Sequence, residues 1–298
     1  MSLIVKDLTK SFGDKIAVDR IGFGMESPGV FGLIGTNGAG KTTTIRMMLG
    51  IMRPDFGESL WDGKPISRET LSFGYMPEER GIYPKVKVFE QLVYFGMLRG
   101  MNKTDAKSSA DKLMARLGIT EYKNMLAHKL SKGNQQKVQL AATLIHDPEL
   151  IILDEPFSGL DPVNTEALRI LISELVDSKK YIVMSSHQMA TVEEYCENLV
   201  LLHRGKTVLS GNLKKIKAGY GHTRLLIDAP EAAEEIAEKV GIKLRERRAD
   251  GLEYSVSGKE DAERFLSALT EAQVFPTKFE LREPSLNEIF IEKAGSEI

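Results

Sequence analysis

One cysteine, Cys196, stands in 298 residues, so no disulfide within the chain can brace the fold, and a reducing compartment suits it. Histidine is scarce as well, at five, and no Cys/His cluster has zinc spacing, which argues against a transition-metal centre. No stretch reaches about 18 apolar residues, so the sequence predicts no membrane-spanning helix. The opening MSLIVKDLTK has an acid at Asp7 and lacks an apolar segment of about 7–15 residues, so it does not read as a signal peptide. A formal charge of −2 gives no basic field to recruit nucleic acid. The densest basic spot, RERR at Arg245–Arg248, reads as the solvated face of a strand or loop. These absences leave a cytoplasmic globular chain, 42% hydrophobic and 28% charged, long enough for one large domain and a small one.

What is present alternates. VFGLIG (Val30–Gly35), LIILDE (Leu150–Glu155), YIVMSS (Tyr181–Ser186) and LVLLHRG (Leu199–Gly205) are short apolar runs bounded by turn residues or acids, the pattern of buried parallel strands. Helical periodicity lies between them, which predicts an α/β core. Residues 86–135 differ, with VFEQLVYFGMLRG and DAKSSADKLMARLGI both helix-periodic, and read as a helical insertion. Beyond residue 219 the order becomes strand, helix, strand, strand, helix, strand, then the helix SLNEIFIEKAG, a ferredoxin-like βαββαβ arrangement. The expected division is therefore 1–218 and 220–298.

GTNGAGKT, Gly35–Thr42, satisfies G-x-x-x-x-G-K-[ST] in the context its chemistry requires, after a buried strand and at the start of a helix. Gly35, Gly38 and Gly40 let the backbone wrap phosphates, with Thr36, Asn37, Ala39 and Thr43 completing the loop. Lys41 supplies charge for the β- and γ-phosphates, and Thr42 a hydroxyl for Mg²⁺. Asp154 and Glu155 end an apolar strand, at the edge of an α/β sheet where ligands gather. Asp154 suits the metal's water shell, and Glu155 is placed to polarise an attacking water. His187, just past another strand, should face the same edge and the γ-phosphate; His128, His146, His203 and His222 have no such context. LSKGNQQ, 130–136, opens a helix that Ser131 is suited to cap, and holds phosphate ligands but no carboxylate.

GTNGAGKTT, LSKGNQQKV and LIILDEPFSGLD, in that order, resemble the ATPase subunit of an ATP-binding cassette (ABC) transporter over about residues 1–218. The tail EPSLNEIFIE is similar to ATPases of bacterial ABC-2-type exporters of the sodium and antibiotic efflux subgroup. The resemblance implies a P-loop NTPase fold with an ABC-type helical insertion. It further implies ATP and Mg²⁺ as ligands, Phe12 stacking on adenine, and Ser158 and Asp161 in a loop coupling two sites. Ser131, Lys132, Gly133 and Asn134 would form the signature that meets the ATP of an opposite subunit.

Two departures from the family pattern stand out. Lys132 and Asn134 replace the third and fifth residues of the usual L-S-G-G-Q, and Glu78 stands where a glutamine senses Mg²⁺ and water. A carboxylate can still approach Mg²⁺, so Glu78 is placed with Thr42 and Asp154 as a metal residue. One signature per chain implies two chains sandwiching two ATP, driving separate integral membrane subunits. The alternative is a soluble ABC ATPase not coupled to transport. The paired cassettes or long coiled coil of translation and chromosome members are absent from the sequence, as is the basic surface they favour. A non-catalytic ATP-binding protein would conflict with Lys41, Asp154, Glu155 and His187 together.

Overall fold

The computed structural model describes residues 2–67, 69–79, 81–230 and 232–295. Its chain forms two compact units, Met1–Ser210 and Gly211–Ile298.

In the first unit, β1 (Leu3–Phe12) and β2 (Lys15–Met25) form an antiparallel hairpin. β3 (Gly29–Gly35) then runs through a loop into α1 (Lys41–Met48), and β4 (Phe56–Trp61) and β5 (Lys64–Pro65) follow. These close a first sheet of order β2-β1-β4-β5. After β6 (Phe73–Met76) come the helices α2 (Val88–Leu98), α3 (Lys103–Arg116) and α4 (Lys132–Leu144). The chain continues through β7 (Leu150–Asp154), α5 (Pro162–Asp177), β8 (Tyr181–Ser186), α6 (Met189–Tyr195), β9 (Asn198–His203) and β10 (Lys206–Asn212). The second sheet has the order β10-β9-β3-β8-β7-β6, parallel from β9 through to β6.

The four expected strands are there, Tyr181–Ser186 with the expected ends and the others shifted by a residue or two, and all lie in this second sheet. Leu150–Leu153 are 0% exposed; full burial of such a side chain contributes about 1.5–3 kcal/mol. The run read as extending to Glu155 ends at Asp154, because Glu155 turns to φ +52.

The first sheet is an addition to the sequence reading, and its bulges explain why. In β1 the buried residues are Leu3, Val5 and Leu8, so the spacing slips from two to three where Asp7 sits at φ +48. β2 slips in the same way between Val18 and Ile21, beside Arg20 at φ +49. Broken alternation hides a strand from a period-two reading. One core joins this sheet, Ile45 and Met48 of α1, and the facing residues Leu33, Ile152, Val183 and Val200 of the second sheet.

His146, which has no assigned role in the sequence, donates from Nε2–H to Phe73 O at 3.1 Å. Burial, and then the Arg99 charge nearby, lower its pKa to about 4. The unfolded chain protonates near pH 6.5 and the folded one only near pH 4, so stability falls as pH drops through that window. His146→Gln is expected to lose less stability than the wild type between pH 7 and pH 5, measured by denaturant unfolding.

In the second unit α7 (Leu213–Tyr220) precedes β11 (Arg224–Asp228), α8 (Ala232–Lys239), β12 (Lys243–Arg248), β13 (Gly251–Ser255), α9 (Lys259–Glu271), β14 (Lys278–Arg282) and α10 (Leu286–Gly295). The antiparallel order β12-β13-β11-β14 is a ferredoxin-like βαββαβ sheet. Leu225, Ile227, Tyr254 and Phe279 on one face meet Ala233, Ala237, Phe265 and Leu269 of α8 and α9. RERR is more than a solvated face. The Glu253 carboxylate, 0% exposed, is held by Arg248 at 2.8 Å, by Arg282, and by Arg245 at 3.6 Å. Three arginines around one buried carboxylate supply the pairing its burial demands.

Candidate active site

The loop 36–40 leaves β3 at the carboxyl edge of the second sheet. Gly40 sits at φ +102, and a Cβ there would lie 2.7 Å from Ala17 O, so a side chain is excluded by both conformation and space. It precedes the first residue of α1, whose unpaired N–H groups face the loop. Asn37, Gly38, Ala39, Gly40, Lys41, Thr42 and Thr43 line an open cleft of ≈ 550 Å³. Lys15, Ile16, Ala17, Glu78 and Arg204 complete its wall. Phe12 lies outside that lining, 52% exposed at the end of β1, with Lys10 Nζ 6.0 Å from its ring centroid.

Inside the cleft the polar groups are already connected. Lys41 Nζ donates to Gly35 O at 2.8 Å and lies 3.1 Å from Glu155 Oε1. That second contact is a charge contact without hydrogen-bond alignment, since Oε1 has no hydrogen-bond partner. Glu155 Oε2 meets His187 Nδ1 at 2.8 Å and accepts the His187 backbone N–H at 3.3 Å. Thr42 Oγ1 donates to Asp154 Oδ2 at 3.0 Å. Ser185 Oγ, 0% exposed, donates to Asp154 Oδ1 and accepts the Glu155 backbone N–H at 3.0 Å. Tyr75 OH is 3.4 Å from Asp154 Oδ2; burial first, and then the Asp154 charge, push its pKa up to about 12. Asp154, Glu155 and Lys41 are 1%, 6% and 6% exposed, so these charges act in a poorly screened setting.

The structure thus brings Lys41, Thr42, Asp154, Glu155 and His187 together. His187, expected to face a phosphate, here faces Glu155. Glu78 is exposed and lines the same cleft, while the bonded pair is Thr42–Asp154. For a divalent cation the fit is sound: Thr42 and Asp154 are hard oxygen donors already in contact at the phosphate loop, the donor type Mg²⁺ prefers.

The signature stretch lies at the start of α4. Ser131 Oγ accepts from Asn134 N–H at 3.3 Å and caps the helix; Ser131 and Lys132 are exposed. A Cβ on Gly133 would lie 2.5 Å from Asn164 Nδ2. Asn164 in turn donates to Asp161, from its backbone at 2.8 Å and its side chain at 2.6 Å. Those bonds hold the Asp161 carboxyl below the usual range, the backbone one first. Asp161 caps α5, and Ser158 N–H closes a turn onto Glu155 O at 3.1 Å. Gln136 and Gln139 went unassigned in the sequence; each reaches a backbone carbonyl, and every residue carries one, so no residue type advertises the partner.

The described residues hold no helix long and apolar enough to cross a membrane. The ABC transporter family model matches residues 18–158, and the model of the ATP-binding protein DrrA1-3-like C-terminal domain matches 211–294. An uncharacterized ABC transporter ATP-binding protein, YhaQ of Bacillus subtilis (strain 168), is 44% identical over 295 residues, 99% of each chain. The chain belongs to the ABC transporter ATP-binding proteins. The bacitracin transport ATP-binding protein BcrA of Bacillus licheniformis is 31% identical over 310 residues, covering 99% of this ABC ATPase and 98% of the relative. A solved ATP-binding subunit of an ABC transporter superposes with a TM-score of 0.67 at 30% identity, over 74% of this chain and 93% of that one. As a family member this ABC ATPase binds and hydrolyses ATP as the motor subunit of a transporter, on a P-loop α/β fold.

Proposed function

We propose that this ABC ATPase drives an exporter, acting as a dimer that encloses two ATP between its copies. The observation that carries the shared-site reading is the division of phosphate ligands. Lys41 and the loop 36–40 line one cleft, while the exposed Ser131 hydroxyl and the α4 N-terminus form a second set of anion ligands. A single chain has no need of two such sets for one nucleotide. Export is supported by the full-length similarity to the bacitracin transport protein and by the DrrA-like C-terminal domain.

Roles follow from chemistry and placement. The loop 36–40, Lys41 and Thr43 bind phosphates, with Gly35, Thr36, Asn37, Gly38, Ala39 and Gly40 giving backbone shape, and Phe12 stacks on the base. Thr42 and Asp154 would hold Mg²⁺, with Glu78 facing it across the cleft. When bound, the cation neutralises phosphate charge as the β–γ bond breaks. Glu155 takes the proton of the attacking water, His187 orients Glu155 through Nδ1, and Lys41 leaves Glu155 for the γ-phosphate. Ser131, Lys132, Gly133 and Asn134 face the partner's ATP, and Ser158 and Asp161 join the two sites. The nucleotide-binding domain is residues 1–210 and the accessory one 211–298, so the boundary lies eight residues before the sequence division at 218.

The membrane subunits would dock on the helical insertion. Tyr83 stacks on Phe95 with centroids 5.7 Å apart, and Tyr83, Tyr94, Met97 and Leu98 stay about half exposed there. A contiguous apolar patch of this kind marks an interaction surface. It would place this soluble subunit on the inner face of the cell membrane.

Gly133→Ala tests the shared site. Its Cβ must displace Asn164 from Asp161, which disturbs the surface offered to the partner and leaves the phosphate loop alone. We expect ATP-dependent dimerisation, followed by light scattering, to weaken about tenfold, with ATP binding by the single chain within about twofold of wild type. Unchanged dimerisation sinks the reading.

A further inference from the structure

We propose that Gln139 is a positioning residue that ties Glu78 to the signature helix, so that the partner's ATP, felt at Ser131–Gly133, sets the chain's own site. This rests on the shared-site reading above. The Gln139 side chain is 6% exposed, and its Nε2 donates to Pro77 O at 2.6 Å and to Glu79 O at 3.2 Å. One amide group therefore holds the carbonyls on both sides of Glu78, the residue that faces the phosphate loop across the cleft. Both bonds are donated by NH₂ hydrogens, so neither a carboxylate nor an apolar side chain can replace them.

The same helix reaches the second acid. Gln136, three residues earlier and so on the same side of α4, donates from Nε2 to Pro156 O, the carbonyl just after Glu155. Ser131 at the helix start and Gln139 are eight residues apart, about 12 Å along a rigid axis. A shift or rotation of α4 when Ser131 and Gly133 engage a phosphate is therefore carried to the peptide groups around Glu78 and beyond Glu155. Helices move as units because their packed cores resist continuous deformation. Gln139 sits where this transmission is narrowest: among the described residues within 77–79, Glu78 and Glu79 are exposed, and the loop is held from α4 by this side chain.

The test uses the full chain carrying Gln139→Leu, which keeps bulk but cannot donate, and Gln139→Glu, which keeps shape and repels the two carbonyls. Three quantities are read: ATP hydrolysis against ATP concentration, ATP-dependent dimerisation, and hydrogen exchange of the 76–82 peptide with and without ATP. In the wild type, hydrolysis is expected to be cooperative in ATP and the 76–82 peptide to exchange more slowly on ATP addition. In both variants ATP binding should stay within about twofold, hydrolysis at saturating ATP should fall about tenfold, the Hill coefficient should drop to about one, and the exchange response to ATP should vanish. A parallel fall of ATP binding, melting temperature and hydrolysis marks a merely structural role and overturns the proposal, as do wild-type cooperativity and exchange response in either folded variant. A wild type that hydrolyses ATP without dimerising removes the shared-site reading and this coupling with it. A dimerising wild type with unaltered variants removes the coupling alone.

Discussion

Glu155→Gln should keep ATP bound, slow its hydrolysis by on the order of 10²-fold or more, and accumulate as an ATP-held dimer. The amide matches the carboxylate in size, so the backbone bond from His187 N–H to the side-chain oxygen, 3.3 Å in the wild type, is retained. What is lost is the capacity to accept a proton. The charge is lost as well, and that has a separate consequence. In the structure Lys41 Nζ lies 3.1 Å from Glu155 Oε1, so the acid competes with phosphate for the lysine. With the amide in place Lys41 is released to the nucleotide, and ATP affinity should rise severalfold as the competing ion pair is removed, by about 1 kcal/mol. Turnover under saturating ATP, a fluorescent nucleotide titration and light scattering read the three effects. Near-normal turnover would remove Glu155 from the role of base.

Lys41→Ala should abolish useful ATP binding, with a loss on the order of 10²-fold from the missing charged contacts to two phosphates. It should also destabilise the nucleotide-free chain. The side chains of Lys41 and Glu155 are 7% and 5% exposed, and removing one member of a buried pair strands the other. The cost is about 3 kcal/mol, at the lower end for such pairs, because the His187 ring and backbone still contact Glu155 at 2.8 and 3.3 Å. The double variant Lys41→Ala, Glu155→Gln discriminates between the two effects. It should recover most of the stability in denaturant unfolding and none of the ATP binding. A single variant as stable as the wild type would show that the pair carries no net stabilisation.

These residues were legible because their chemistry is tied to residue type at fixed spacing. A phosphate loop needs glycine at Gly40 and charge at Lys41, and an acid pair after LIIL is visible as it stands. The buried strands were legible for a related reason, since residues 150–153 and 181–184 are apolar throughout and a parallel sheet covered on both faces demands that. The ferredoxin-like order of the second unit could be read from alternating strand and helix patterns in the same way.

Other features had no such signature. Ser185 is one serine among several in the sequence, yet it donates to Asp154 and accepts from Glu155. Asn164 gains its meaning only by lying against Gly133. RERR is solvated as read, exposed along all of β12, but its pairing went unread because Glu253 is on the next strand, and strand pairing carries that carboxylate in among three arginines.

By itself, then, the sequence indicated the candidate chemistry: a glycine-rich loop with Lys41 suited to phosphate, an acid pair at a strand end, and a helix start, Ser131–Asn134, with anion ligands and no carboxylate. Local spacing was enough, because each of these depends on a few neighbouring residues. The tertiary structure decided the connections. The first sheet hides behind bulges at Asp7 and Arg20, the resting partner of Lys41 is an acid 114 positions away, from 41 to 155, and Gln139 grips carbonyls 60 and 62 positions back. Backbone carbonyls and long-range ion pairs are specified by where the chain is placed, and only the folded packing places it.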